Sequence, residues 1–258
     1  MSWMALSGDV LTYGDTFDDL PVEYLEIYKR ILPPLPVAGR PLDIWENKPY
    51  LIWSMDPGPA DGQYTLFGVF EFQNRRQGQE ITLNLDEISA RSSNLDQNPK
   101  ESPGSWLLWN FWKQKLIKVN GPTITIPIPS KSCEVFSLRP SLGRPQLIGT
   151  SGHFSQGTLE TQDIRWDAKS GILTGKVRGN GGDKTTLFFH VPNGMKCISA
   201  AVAFSSVISK IVEPNVLALE VPAIKEEPVR FELSFTGSPV KYETRKFVTG
   251  NVGDVKIK

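Results

Sequence analysis

The residue types able to do chemistry in this chain are few and scattered. His153 and His190 are the only histidines, and Cys133 and Cys197 the only cysteines. Ser151-Gly-His153 together with Asp163 supplies the side chains of a serine hydrolase. There is no Gly-x-Ser-x-Gly elbow, however, and no strand–turn–helix context to present a nucleophile. The spacing predicts a loop histidine bonded to backbone. His190 lies in the alternating run Leu187-Phe-Phe-His-Val191, opposite Leu187, Phe189 and Val191, which predicts a solvent-facing or second-layer position. Two distant histidines and two distant cysteines lack metal-ligand spacing, so no metal or other cofactor is expected. Gly179-Asn-Gly-Gly-Asp183 is followed by β-like sequence rather than a helix, so it predicts a hairpin turn, not a phosphate loop. Asp15 follows the run Val10 to Tyr13; at the carboxyl end of a barrel strand a carboxylate can bind sugar hydroxyls or orient a catalytic group. Trp106, Trp109, Phe111 and Trp112 offer flat rings for sugar stacking, or else a core strand or interdomain seam. Trp45 and Trp53 carry the same two readings. The candidate substrate-binding residues are therefore Asp15, Trp109 and Trp112.

The elements that must position these groups change character along the chain. Leu6 to Asp15 reads as a short buried strand. Leu20 to Leu32 reads as a helix, with Val22, Leu25, Tyr28 and Leu32 on one face and Asp18 and Asp19 capping its amino end. Pro33, Pro34 and Pro36 stop it. From Pro41 onward every regular segment reads as β. Tyr64 to Phe72 is apolar on both faces, as for a central strand. Ile81, Leu83 and Leu85 alternate, as do Ile124, Ile126 and Ile128, where Pro127 and Pro129 indicate an edge. Cys133 to Leu138 closes this set. A second set follows: Gln146–Gly149, Gly157–Trp166, Ile172–Arg178, Thr185–Val191, Lys196–Phe204, Val216–Val221 and Val229–Phe235. The expected fold is mainly β: two consecutive antiparallel β-sandwich-like domains, residues 41–140 and 141–258. They meet near Pro140 to Pro145, and a short βα remnant of a barrel (residues 1–40) precedes them.

Composition narrows the partners. The 258 residues carry 28 Lys plus Arg against 28 Asp plus Glu, with no basic concentration, which argues against a nucleic-acid partner. No basic stretch precedes a long apolar run at the N-terminus. The most apolar window, Ile198 to Val212, is too short and too often interrupted to span a bilayer. A soluble, cytoplasmic protein with reduced cysteines is expected, with no membrane partner.

Several segments resemble one family. Ala5-Leu-Ser-Gly-Asp-Val-Leu-Thr-Tyr-Gly-Asp15, the helix ending Leu32-Pro-Pro-Leu-Pro36, and Gly39-Arg-Pro-Leu-Asp43-Ile-Trp45 resemble the end of the catalytic barrel in α-galactosidase-like enzymes of glycoside hydrolase family 36. Phe67-Gly-Val-Phe70, Leu83-Asn-Leu-Asp-Glu-Ile88, Trp109-Asn-Phe-Trp112, Cys133 to Pro140 and Pro145 to Gly157 resemble the C-terminal β-sandwich and extension of such enzymes. Asp9 stands where relatives commonly show a second glycine. The resemblance implies that the chain begins at the last βα unit of a barrel. It also implies a retaining mechanism run by two barrel aspartates that no position here matches, so no catalytic residue is carried over. The function it implies is the non-catalytic, C-terminal part of a glycosidase acting on α-galactosides or related carbohydrates. A missing catalytic portion, or a second copy, would cover the apolar surface left by residues 1–40. The alternative is a stand-alone carbohydrate-binding or structural module, for which the N-terminal remnant has no evident use.

Overall fold

The computed structural model describes residues 1–8, 16–46, 49, 51–72, 76–92, 105–119, 121–179, 184–203, 205–207, 209–223 and 227–239. At the N-terminus, Ser2–Ser7 forms a helix (α1) that ends at Gly8 in the left-handed conformation, φ 70°. Leu6 and Ser7 are thus helical rather than the start of a strand. Met4, Ala5 and Leu6 are strong helix formers, and a glycine at the next position supplies the stop. Leu6 is fully buried, and its side chain occupies a notch made by Gly68, where an added Cβ would lie 2.5 Å from its Cδ1. The rest of the expected strand, including Val10 to Tyr13, lies outside the described residues.

The expected helix appears as α2, Val22–Ile31. Asp18 and Asp19 belong to a separate 3-10 turn, Phe17–Asp19, and no side chain caps α2, whose N-cap is Pro21. The buried stripe is also rotated: Tyr28 and Ile31 face inward, whereas Val22 is 69 % exposed. Val22 sits in the first turn, beyond the reach of the sheet.

The chain then runs β1 (Arg40–Pro41), β2 (Ile52–Met55), β3 (Thr65–Phe70), β4 (Gln79–Asn84), α3 (Leu85–Ser92), β5 (Trp106–Asn110), β6 (Lys115–Ile117), β7 (Thr123–Ile128) and β8 (Cys133–Pro140). It continues through β9 (Gln146–Thr150), β10 (Thr161–Asp167), β11 (Ile172–Val177), β12 (Thr185–His190), β13 (Met195–Val202), β14 (Ser205–Ser206), β15 (Ser209–Glu213), β16 (Val216–Val221) and β17 (Val229–Gly237). The fold is mainly β, and every strand pairing among the described residues is antiparallel. α3 was not expected: Leu85 continues the alternation of β4 in sequence but opens a helix. Asn84 Oδ1 accepts the N–H groups of Asp86 (3.1 Å) and Glu87 (3.3 Å), and its amide donates to Glu87 Oε1, a reciprocal cap strong enough to end the strand.

Four sheets form successive layers. The first, in the order β1-β2-β3-β8-β5-β6, packs Phe67, Val69, Leu108, Phe136 and Leu138 against the β4/β7 pair and α3. Its other face sends Leu107 and Trp109 onto Ile148, Phe188, Val216 and Ala218 of the sheet β15-β16-β12-β9. That sheet turns Leu187, Phe189, Leu217 and Leu219 toward Leu173, Val177, Phe231 and Leu233 of the sheet β10-β11-β17-β13-β14. Strands buried on both faces lose simple alternation, because both their odd and even residues are apolar. β3 is central, as expected, with all six residues buried. β7 pairs only with β4 among the described residues, with Pro127 opposite Glu80, consistent with an edge. The hairpin expected around Gly179–Asp183 is not what joins its flanks. β11 pairs with β10 and β17, whereas β12 pairs with β16 and β9, so the two flanking strands belong to different sheets. Residues 180–183 themselves lie outside the described residues.

Candidate functional site

Of the predicted substrate-binding residues, Asp15 lies outside the described residues. Trp109 has no exposed surface. Its ring meets Phe188 at 4.7 Å, and an added Cβ at Gly149 would lie 2.3 Å from its indole nitrogen. A ring so enclosed presents no face to a sugar and instead joins the first sheet to the next. Trp112, in the turn that follows β5, is half-buried; its indole N–H donates to Ser2 Oγ at 3.1 Å, and Phe111 packs edge-on at 4.8 Å. Trp53 packs edge-on against Trp3 at 5.6 Å, whereas Trp45 is 91 % exposed. Cys133 and Cys197 are free thiols, half-buried, and burial pushes both upward in pKa.

The polar groups that do converge lie on the turns linking β9 to β10. Gly157 and its neighbours compress the chain there, and Ser155, Gln156, Thr150 and Glu160 are all buried. Glu160 is the centre. Its Oε1 accepts Thr150 Oγ1 and the His153 N–H, each at 2.6 Å, and its Oε2 accepts the Gly157 N–H at 3.0 Å and Ser155 Oγ at 3.4 Å. Burial raises its pKa, and these donors pull against that rise. The loop is tied to the last turn of α2 and to the segment just after it: the Phe154 N–H donates to Arg30 O at 2.8 Å, and His153 Nε2 lies 3.0 Å from Pro33 O. Since His153 Nδ1 accepts the Ser155 N–H at 3.1 Å, the proton is on Nε2 and is donated to Pro33. Both ring nitrogens are therefore engaged with backbone, as the sequence predicts, and this histidine has no free nitrogen to act as a base. Asp163, on a bulge of β10, pairs instead with Lys176 at 3.0 Å.

A second buried cation locks the same loop to the first sheet. Arg139 on β8 is 1 % exposed. It donates to Ile148 O (3.3 Å), Ala60 O (2.6 Å) and Gln156 O (2.7 Å), and its guanidinium lies 3.7 Å from the centre of the Tyr64 ring. Tyr64 in turn bonds to Ser155 O and to Thr158 Oγ1. Sequence reading misses Arg139, Tyr64 and Glu160 as partners; their longest bonds reach across 75 to 94 residues, and the others join turn positions that no strand period marks.

Above this frame lies an open cleft of about 160 Å³ lined by Glu26, Lys29 and Arg30 of α2, by Ser151 and Gly152, and by Lys184 and Thr185. Among the described residues no group of His, Cys, Asp or Glu is arranged to hold a metal ion, and no helix is long and apolar enough to cross a membrane.

His190 occupies the second layer, as expected, and burial alone depresses its pKa to about 4; its Nδ1 has no partner among the described residues. The unfolded chain takes up that proton near pH 6.5 and the folded chain only near 4. Its stability contribution is therefore intact above pH 6.5 and lost as pH falls through that window. His153, also depressed to about 4 by burial, acts with the same sign. Glu160, shifted upward, acts oppositely above about pH 4.3. His190→Leu removes one proton from the linkage without orphaning a bond. It should flatten the pH dependence of unfolding free energy between pH 6 and 4.5 by about 1.4 kcal/mol per pH unit. Urea unfolding at pH 7, 6, 5 and 4.5 reads this directly, and a slope equal to that of the wild type would show that His190 titrates normally.

No protein-family model matches this chain, and no curated protein sequence matches it. One solved structure it resembles is an isomalto-dextranase of Arthrobacter globiformis T6 complexed with panose. The TM-score is 0.36 and the identity 10 %; the match covers 91 % of this chain and 44 % of that one. The chain thus spans less than half the length of that neighbour.

Proposed function

We propose that this chain is the C-terminal, non-catalytic part of an α-galactosidase-like retaining glycoside hydrolase, cytoplasmic in location. In this reading residues 41–140 and 141–258 are consecutive β units that brace a catalytic barrel, and residues 1–40 belong to the barrel's end. The segment resemblances to family 36 support it. The observation that carries the non-catalytic part is the use made of the buried carboxylates. Asp43 accepts the N–H groups of Leu51 and Ile52, Asp61 is paired with Arg144 at 2.7 Å, Glu71 accepts the Lys131 N–H, and Glu134 binds Asn110 and Lys113. Glu160 is fully engaged as described. A retaining glycosidase needs two carboxyl groups about 5 Å apart facing a sugar, and the buried acids among the described residues are each engaged in structural bonds. The exposed Val22 and Tyr24 on α2 suit a covering partner, either the catalytic portion or another copy.

The test is turnover. The purified chain should release no aryl leaving group from aryl α-galactosides above a boiled control. Turnover that Asp15→Ala abolishes would overturn the proposal, because it would place a working carboxylate in this polypeptide.

A further inference from the structure

We propose that the cleft between α2 and the β9–β10 turns is a binding site for a compact oxyanion group: a carboxylate, sulfate or phosphate. The proposal goes beyond the glycosidase reading and does not depend on it. Three cations line the cleft, Lys29, Arg30 and Lys184, against a single carboxylate, Glu26. That carboxylate is already paired with Lys29 at 3.0 Å. Arg30 and Lys184 have no carboxylate partner among the described residues, so the lining keeps an unneutralised positive charge. The Arg30 backbone is fixed by its bond from Phe154, which holds this end of α2 over the floor of the cleft.

The floor supplies directional groups. Thr185 is 2 % exposed, and its Oγ1 has no hydrogen-bond partner among the described residues. A buried hydroxyl left without a partner costs free energy, and such groups are normally satisfied by a ligand or water. It lies beside Gly152, where an added Cβ would be 3.6 Å from it. Ser151 Oγ accepts the Thr186 N–H at 2.9 Å, which leaves its own proton to donate. Glu160 lies just beneath Gly152, with an oxygen 2.7 Å from where a Cβ would stand. Both its oxygens are taken up by four donors of the loop, Thr150 Oγ1 and the His153 N–H on one, the Gly157 N–H and Ser155 Oγ on the other. The floor thus offers hydroxyl donors, and the walls offer cations. At about 160 Å³ the cleft has room for roughly five waters, below the 300 Å³ where drug-sized pockets begin. It fits one anionic group or a single acidic sugar, not an oligosaccharide. Arginine with hydroxyl donors is the usual solution for such a group.

The full chain is titrated by calorimetry with sodium sulfate, sodium phosphate and sodium galacturonate, with sodium chloride as the ionic-strength control. One saturable site per chain is expected for at least one of these, and none for chloride. Arg30→Gln and Lys184→Gln should each weaken it at least tenfold. Thr185→Val, which keeps the shape, should weaken it about fivefold with an unchanged melting temperature. Tighter binding of galacturonate assigns the site to acidic sugars; tighter binding of sulfate or phosphate assigns it to an inorganic or ester anion. Absence of saturable binding of all three, or an affinity unchanged in both Arg30→Gln and Lys184→Gln, overturns the proposal.

Discussion

Arg139→Met should lower the unfolding free energy by about 3–4 kcal/mol and the melting temperature by about 10 °C. The guanidinium is buried without a direct ion pair, and burial lowers its pKa while Tyr64 and Asp61 help retain the charge. Removing it relieves that desolvation cost, which works against the predicted loss. The loss nevertheless wins, because the carbonyls of Ala60 and Gln156 have no other donor among the described residues. Each buried orphan acceptor costs about 1–3 kcal/mol. The carbonyl of Ile148 keeps Ser137 Oγ at 2.7 Å and is spared. Loss of the cation stacked on Tyr64 adds roughly 1 kcal/mol or more in this dry setting. Arg139→Lys should recover little, since one ammonium cannot reach carbonyls on three sides of a planar fork. Differential scanning calorimetry of both variants decides the matter: a methionine variant as stable as the wild type would mean that Arg139 is a tolerated charge rather than the bond between sheets.

How much of this was legible in the sequence depends on whether a feature is local. Val216–Val221 matches the expected strand to the residue, and β3, β8 and β12 agree within two residues at each end, because apolar runs between turn signals are set by neighbours in the chain. α1 and α3 were missed for opposite reasons. Leu6 continues into an apolar run that suggests a strand, although Trp3-Met-Ala-Leu6 favours a helix. For α3 the signal was present, since Asn84 followed three residues later by Glu87 is a capping pattern. The alternating Ile81, Leu83 and Leu85 masked it. The break between β11 and β12 shows the limit of turn chemistry: a glycine-rich segment tells that the chain turns, not which strand it will pair with. The site was less legible still. The run around Trp109 suits either a platform or a seam, and only the third dimension brings Phe188 and Gly149 against its ring. The segment Thr150 to Glu160 carries no period at all, so nothing in it distinguishes Glu160, the hub of the loop, from any exposed glutamate.

Glu160→Gln should be nearly as damaging as the loss of Arg139, at about 3–4 kcal/mol, although the two side chains have the same shape. Every partner of this carboxyl is a donor, and one on each oxygen is a backbone N–H that cannot reverse: His153 on Oε1 and Gly157 on Oε2. The hydroxyls of Thr150 and Ser155 can rotate to accept; the two N–H groups cannot. An amide therefore must set its NH2 against one of them, whichever way it is turned. A protonated carboxyl escapes this conflict, since its hydroxyl oxygen still accepts from the N–H while giving its proton to Thr150 or Ser155. The raised pKa of Glu160 is thus compatible with the same bonds in either charge state, and glutamine is compatible with neither. The pH dependence follows with a definite sign. A carboxyl whose folded pKa lies above its unfolded value stabilises most below about pH 4.3, and it loses that contribution as pH rises through the folded pKa. The stability gap between wild type and Glu160→Gln should therefore be widest near pH 4 and narrow toward neutrality, while remaining positive. Chemical denaturation of both proteins at pH 4, 5, 6 and 7 measures it, and a gap that grows with pH would show that burial does not raise this group. The turns that Glu160 gathers also place Ser151 and Gly152 at the floor of the cationic cleft. Glu160→Gln should consequently weaken oxyanion binding even under conditions where the chain remains folded.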